Sequence, residues 1–161
     1  MDKNEGITMK YETTAKHLIV EDGAVVGVEC EGKTGNKVTV KANNGVVLAT
    51  GGFGRNIEMR VKYNEETKLW PTLDETIPST NTTAITGDGI VMAEENGAEL
   101  VQMGNIQLLP LGDPQTGSLL GNIEHSVESR IFVNKEGNRF VNEGGRRDEM
   151  TLALFEQPDT T

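Results

Sequence analysis

The first third of the chain alternates hydrophobic with polar residues and is interrupted by glycine-containing turns. This pattern predicts a hairpin with strands over residues 18–20 and 25–30, joined by a turn at residues 21–23. A second turn over residues 32–36 precedes a third predicted strand, residues 37–41, in which two valines alternate with polar neighbours. The pattern therefore predicts a small antiparallel sheet near the start of the chain.

A different pattern follows in GVVLATGGFGRN, residues 45–56. Three consecutive apolar residues, 46–48, are closed by glycines, which predicts a strand buried on both faces that enters a tight turn. At Gly51 and Gly52 a ligand could approach the backbone closely, and exposed amides there could hold phosphate oxygens. A plain tight turn explains the same residues. No GxGxxG follows a strand and no Walker A lysine motif occurs, so a complete dinucleotide site is not predicted.

The rest of the chain mixes helical periodicity with loops. Apolar spacing over residues 57–70 predicts a helix that ends near Trp70, followed by a polar loop over residues 72–83. TGDGIVMAEENGAEL predicts a short helix with Asp88 as its N-cap and Gly97 just beyond its C-terminus. Residues 103–122 are predicted to be loop with short strands. Further elements are a second hairpin with strands over 131–133 and 139–142, and a last helix over 148–156.

The TGDG segment at the start of the second predicted helix has two interpretations. Free backbone amides and the helix dipole favour an anion or a polar ring edge at such a position. Alternatively, Asp88 only caps the helix. The segment alone does not separate a binding site from a cap.

Composition narrows the possible functions. A formal charge of -10 and a pI near 4.7 argue against nucleic acid or an anionic membrane as the main partner, although a local basic pocket remains possible. Cys30 is the only cysteine, which excludes a disulfide framework and a thiolate metal cluster. His17 and His125 have no third ligand at metal spacing, so no metal site is predicted and both are expected at the surface. No apolar run approaches the roughly 20 residues of a membrane span, and the first residues lack the apolar segment of a signal peptide.

Three segments occur in a fixed order: GVVLATGGFGRN, TGDGIVMAEENGA and FVNKEGNRFVNEGGRRD. Together they resemble the flavoprotein subunit of the soluble fumarate reductase family, which also contains urocanate reductases, other enoate reductases and ketosteroid dehydrogenases. The resemblance runs from about Thr14 onward. It implies an α+β fold in which residues 1–56 form an antiparallel β-rich tail of the FAD-binding domain, with hairpins and a buried strand. Residues 57–161 would form the substrate-capping domain of a fumarate reductase-type flavoprotein.

The resemblance also implies that the chain is a fragment. Members of the family begin with a Rossmann-type βαβ unit carrying GxGxxG for the FAD pyrophosphate, and they end with a stretch that supplies a substrate-binding histidine and arginine. The chain alone is therefore expected to hold neither a full FAD site nor a full active site, and to be inactive in isolation. Other expected parts of the full-length protein are an electron donor domain or a flavin or heme module.

Site residues follow from the resemblance by position. Three groups of residues are implied to bind FAD. Ala15 would lie near the adenine, and the A-T-G-G segment, Ala49, Thr50, Gly51 and Gly52, would pass the cofactor. On the flavin side would lie Thr86, Gly87 and Asp88. Arg147 matches the catalytic proton donor in the family's R-F-x-x-E-x-x-x-R-D pattern, and Glu143 matches the acid that orders the loop presenting it. The implied reaction reduces a C=C bond by hydride transfer from flavin N5 and protonation of the neighbouring carbon. A guanidinium is a very weak acid, so its fixed position would have to make Arg147 effective.

Two departures from the family pattern bear on the substrate. Leu109 stands where fumarate reductases have the histidine of Q-x-H-P-T, and Ser126 stands where they have the arginine of E-T-x-R-G. A cationic pair for a second carboxylate is therefore not evident, which favours a monocarboxylic enoate over fumarate. Glu124, by position, would touch the distal group of the substrate, and an acidic partner would suit the imidazole of urocanate.

Two alternatives to this reductase remain open. A non-catalytic ligand-binding or interaction module could reuse the capping fold. Ketosteroid dehydrogenation is disfavoured by the Arg-Arg-Asp sequence, because an arginine is not the expected acid in that reaction. The charge run of residues 138–150 is, in its plainest interpretation, a solvated surface.

Overall fold

The computed structural model describes residues 6–113, 115–119 and 130–158. In chain order the elements are β1 Thr13–Glu21, β2 Ala24–Gly32, β3 Lys37–Lys41, α1 Ile57–Thr67, α2 Asp88–Glu94 and α3 Arg147–Phe155. They belong to two compact units: the first comprises Met1–Gly51 and Asp88–Glu99, and the second Gly52–Gly87 and Leu100–Thr161. The functional division into residues 1–56 and 57–161 stays a prediction. Among the described residues, no helix is both long and apolar enough to cross a membrane.

The first unit is built on an antiparallel sheet with strand order β1-β2-β3, as predicted. Leu18 pairs with Val28, and Val28 pairs in turn with Val40, so apolar residues of the three strands share a row. The tight turn between β1 and β2 contains Asp22 at φ 49° and Gly23 at φ 79°, the left-handed conformation that short hairpin turns require. Helix α2 packs on β1 within the same unit.

The predicted buried strand over residues 46–48 is wrong. This segment forms no strand, and Val47 is 88% exposed. An uninterrupted apolar run is buried on both faces only where neighbouring strands cover it. No strand of the described residues pairs with this segment, so Val47 and Leu48 remain exposed while Val46 is half-buried.

Helix α1 supplies the core of the second unit through Met59 and Tyr63. Its N-cap is Asn56, whose side chain accepts a hydrogen bond from Met59 N at 3.0 Å and donates one to Thr86 O at 3.0 Å. The helix ends at Thr67, three residues before the predicted position, because Lys68 takes the left-handed conformation at φ 50°. The predicted helix is therefore confirmed with a shorter C-terminal end.

Trp70 lies at the centre of this unit and is 2% exposed. The side-chain amide of Asn64 binds the backbone of Trp70 twice: its Oδ1 accepts a hydrogen bond from Trp70 N at 3.1 Å, and its Nδ2 donates one to Trp70 O at 2.9 Å. The indole Nε1 donates to Ile106 O at 2.8 Å, and the ring packs against Phe155 with centroids 6.5 Å apart. These contacts tie α1 to the loop around residue 106 and to α3.

Of the predicted second hairpin only the turn is present, because residues 131–133 and 139–142 do not form strands. Asn134 N donates to Asn138 O at 2.9 Å, and a single bridge joins Val133 to Arg139. The strands stop there because the amide of Phe132 donates to the carboxylate of Glu143, at 2.7 Å, instead of to a strand neighbour. The last predicted helix is confirmed as α3, displaced by one residue. In the predicted loop of residues 103–122, the described part holds one bridge, between Gly112 and Leu119.

Candidate functional site

The three arginines of residues 138–150 have different surroundings. Arg139 binds Glu143 through Nε and through Nη2, the latter at 2.5 Å from Oε2. Arg146 binds Asp148 on the surface, with Nη2 at 2.7 Å from Oδ2. Arg147 is the first residue of α3. Arg139 and Arg146 are therefore each paired with a carboxylate of the run, and the interpretation as a solvated surface holds for Arg146.

Glu143 anchors the loop that leads into α3. Its side chain is buried, with 5% of the residue exposed, and it accepts hydrogen bonds from Arg139 and from the amide of Phe132. The Arg139 guanidinium, with the Phe132 amide, lowers the pKa of Glu143 to about 2. The carboxylate is thus ionised over the physiological pH range and ties residue 143 to the preceding turn, four residues before Arg147.

A cleft of about 370 Å³ lies in the second unit and is lined by both Arg147 and Leu109. One face of α3 forms a wall, through Arg147, Thr151, Leu154 and Phe155, which share a helix side by their spacing. The hydroxyl of Thr151 donates to Arg147 O at 2.8 Å. The structure therefore brings together two residues that the sequence had separated by 38 positions. We call this cavity the Arg147 cleft.

The other walls of the Arg147 cleft come from two loops and are largely apolar. One wall is formed by residues of the loop that follows α1: Ile77, Pro78, Ser79, Thr80 and Asn81. Another wall is formed by the segment that begins at the residue bound by the Trp70 indole: Ile106, Gln107, Leu108 and Pro110. Asp113 also lines the cleft, and Thr116 lowers its pKa, by its hydroxyl first and its amide second. Glu124, His125 and Ser126 lie outside the described residues.

Arg60 also lines the Arg147 cleft, and no sequence motif points to it. This arginine of α1 is only 4% exposed, although arginine side chains are mostly exposed in folded proteins. Its Nη1 donates to Ile77 O at 2.8 Å and its Nη2 to Asp74 O at 3.4 Å, while Nε has no hydrogen-bond partner. Burial, and secondly the charge of Arg55, lower the pKa of Arg60 below its ordinary value, and Asp74 opposes this. No pattern in the sequence distinguishes such an arginine from a solvated one.

The residues predicted to hold FAD fall in both units. In the first unit, Thr50 packs so tightly on the start of α2 that a Cβ added to Gly89 would lie 2.1 Å from its Oγ1. Thr50 therefore lies close to the start of α2, and α2 packs on β1, the strand that carries Ala15. Gly51, the last residue of this unit before α2, has φ 78°. In the second unit, nothing lies within 4 Å of a Cβ built on Gly52. Within the first unit, the left-handed Gly51 follows Thr50, which packs on a helix start, and this fits the close approach of a nucleotide cofactor.

Thr86 and Gly87 belong to the second unit, where Gly87 is buried. Gly87 has φ 88°, and an added Cβ would lie 2.6 Å from Met59 Sδ and 3.0 Å from Phe53 Cβ. Only glycine satisfies both the conformation and the space. The T-G-D-G segment is therefore fixed by packing as well as by its turn.

Gly87→Ala is expected to destabilise the chain more than Gly97→Ala. Gly97 has nearly the same φ, 85°, but nothing lies within 4 Å of its added Cβ. The control variant thus carries the backbone strain alone, about 1 kcal/mol, whereas Gly87→Ala adds overpacking of about 1–3 kcal/mol. Urea unfolding followed by circular dichroism measures both. Equal losses of unfolding free energy would show that the Met59 contact relaxes without cost.

The other candidate residues have no role in the cleft. The side chain of His17 is 66% exposed, with Nδ1 4.0 Å from Glu95 Oε2, which confirms the surface prediction for this histidine. Cys30 lies within β2, half-buried, and pairs with Ala15.

The chain is similar to known proteins over nearly its whole length. A family model described as an FAD binding domain matches residues 1–160. The chain belongs to this family. Its membership confirms the resemblance to the flavoproteins and makes FAD the cofactor of the family, while the residues that hold the cofactor in this chain stay a proposal.

Two of the similar proteins are named for acrylate and urocanate. The chain is 45% identical over 145 residues, 90% of its length, to the NADH:acrylate oxidoreductase of Vibrio harveyi, of which it covers 14%. It is 47% identical over 152 residues, 91% of its length, to the urocanate reductase of Eggerthella lenta, of which it covers 24%. The chain therefore spans less than a quarter of the length of these relatives.

A solved structure with the same fold is the open conformation of a flavocytochrome c3 fumarate reductase. It matches with a TM-score of 0.67 and 33% identity, over 92% of this chain and 25% of that protein. The expected FAD-binding fold with a small antiparallel sheet is thereby confirmed, and so is the place of the chain among the fumarate and urocanate reductase flavoproteins.

Proposed function

We propose that the full-length protein carrying this chain is an FAD-dependent oxidoreductase that reduces the C=C bond of an α,β-unsaturated carboxylate. The observation that carries this proposal is the Arg147 cleft, in which the candidate proton donor and Leu109 line one cavity. The acrylate and urocanate reductases named above support the reaction class. Residues 57–161 would act as the substrate-capping domain and residues 1–56 as part of the FAD-binding domain.

The proposed role of Arg147 is to donate a proton to one alkene carbon while the other accepts a hydride, which bound FAD supplies from N5. A guanidinium is a weak acid, so the geometry must favour the transfer. Position at the start of α3, behind the loop anchored by Glu143, provides that fixed geometry. The residues proposed to hold FAD are those of the A-T-G-G and T-G-D segments together with Ala15.

The proposed substrate is a monocarboxylic enoate. Leu109 makes its part of the Arg147 cleft apolar, which disfavours a second carboxylate there. Acrylate and urocanate, named for two relatives, each carry a single carboxylate, which agrees with this choice. Glu124 is proposed to touch the distal group of the substrate. The electron donor would be another domain or a flavin or heme module.

The test is turnover of a panel of enoates by the flavin-loaded full-length protein, with reduced viologen as donor. We expect acrylate or urocanate to be reduced with a kcat/KM at least tenfold above that of fumarate. The isolated chain, assayed in parallel, is expected to be colourless and inactive. A flavin-loaded protein that binds enoates without reducing any of them would contradict the proposal and identify a ligand-binding module instead.

A further inference from the structure

Arg60 is a buried charge without an ionic partner at hydrogen-bond distance. Its guanidinium donates hydrogen bonds to the backbone carbonyls of Ile77 and Asp74, and its Nε is buried without a hydrogen-bond partner. A buried guanidinium is ordinarily matched by a carboxylate, because removing the charge from water is costly. The nearby acid, Asp74, directs its carboxylate to Thr76 instead, with Oδ1 at 2.6 Å from Thr76 Oγ1 and 2.8 Å from Thr76 N.

The surroundings of Arg60 increase the positive charge in this part of the unit. Arg55 is close enough for its charge to lower the pKa of Arg60, and its own Nε is also buried without an acceptor. The Arg147 cleft is lined by Arg60 and Arg147, with Asp113 as the one carboxylate among its described lining residues. That carboxylate is already bound by Thr116 and Gln115. The chain carries a formal charge of -10, but the described residues that line the cleft include two arginines and one carboxylate, a net positive charge.

We infer that Arg60 supplies the positive charge that attracts and orients the substrate's carboxylate in the Arg147 cleft, leaving Arg147 to donate the proton. This inference rests on the proposed function. The apolar walls around Arg60 reduce the local dielectric constant and strengthen its attraction for an anion. The bonds to Ile77 and Asp74 also hold the guanidinium in one position on the cleft wall.

The test compares a charged substrate with its neutral analogue in the full-length, flavin-loaded protein. For each variant the ratio of kcat/KM for acrylate to kcat/KM for acrylamide is measured, so that losses of folding or of flavin cancel. We expect Arg60→Gln to lower this ratio about tenfold, mainly through the KM for acrylate, which corresponds to ~1.4 kcal/mol. Arg60→Lys, which keeps the charge, is expected to retain most of the ratio.

Lys62→Gln is the matched control, since it removes one positive charge from the same helix at an exposed position outside the cleft lining. Its ratio should equal that of the wild type. If Arg60→Gln lowers both rates equally and leaves the ratio unchanged, Arg60 only supports the loop and the inference is overturned. A wild-type protein that reduces no enoate would refute the proposed function, which is a separate result.

Discussion

Arg147→Ala in the full-length protein lowers alkene reduction by about 10²–10⁴-fold while FAD stays bound, if Arg147 donates the proton as proposed. The side chain lines the cleft from the first residue of α3, and the segments proposed to hold FAD are elsewhere in the sequence. Loss of the donor should therefore remove chemistry without removing cofactor. Steady-state reduction of acrylate or urocanate, together with the flavin content of the purified variant, measures both quantities.

Arg146→Ala is the matched control for this experiment. Arg146 precedes the same helix and carries the same charge, but its side chain is exposed and paired with Asp148 on the surface. Its contribution to the helix start comes in part from its backbone N, which donates to Glu149 and is retained in alanine. Near-normal turnover is expected. An equal loss in both variants would indicate that charge at the helix start, rather than a specific donor, controls the rate.

Glu143→Ala is expected to lower alkene reduction by about 10²-fold in the full-length protein. The substitution removes the acceptor for Arg139 and for the amide of Phe132, so the loop before α3 loses its anchor. Displacement of a catalytic group by about 1 Å can reduce a rate to this extent. Glu143→Gln keeps an acceptor oxygen of similar shape and should retain more activity. Unchanged kcat in Glu143→Ala would show that the anchor does not position Arg147.

The same carboxylate predicts an acid sensitivity of the chain. The pKa of Glu143 is lowered from 4.5 to about 2, so its ionised form stabilises the fold. This contribution is complete above about pH 4.5 and is lost as the pH falls toward 2. The difference in melting temperature between wild type and Glu143→Gln should therefore shrink over that interval. A difference that is constant from pH 7 to pH 2 would contradict the lowered pKa.

The sequence predicted those elements whose signals are local. The β1–β2 turn needs a left-handed residue, which Gly23 provides, and α3 follows directly from its short apolar spacing. Burial was less predictable. Val47 lies in an apolar run typical of a buried strand, yet it is exposed. Burial of such a run requires neighbouring strands on the same sheet, and the local pattern does not specify them.

The candidate site was predictable only in part, for a similar reason. Arg147 and Leu109 were found through motifs, and the structure brings them to one cleft. Arg60 belongs to no motif, because its buried position depends on hydrogen bonds to the backbone carbonyls of residues 74 and 77, in a loop distant in sequence. Glu143 diverts the Phe132 amide from a strand ladder, and so the predicted second hairpin was too long. Long-range polar contacts of this kind leave no periodic signal in a sequence.

The position of Trp70 gives the chain an intrinsic fluorescent probe. It is the only tryptophan in the sequence, so the emission comes from one known position. Its indole nitrogen is bound to the carbonyl of Ile106, and its ring contacts Phe155, both of which line the Arg147 cleft. A ligand that moves either wall changes the polarity around the indole, and therefore the wavelength and intensity of its emission. Titrations of the cleft thus need no attached dye.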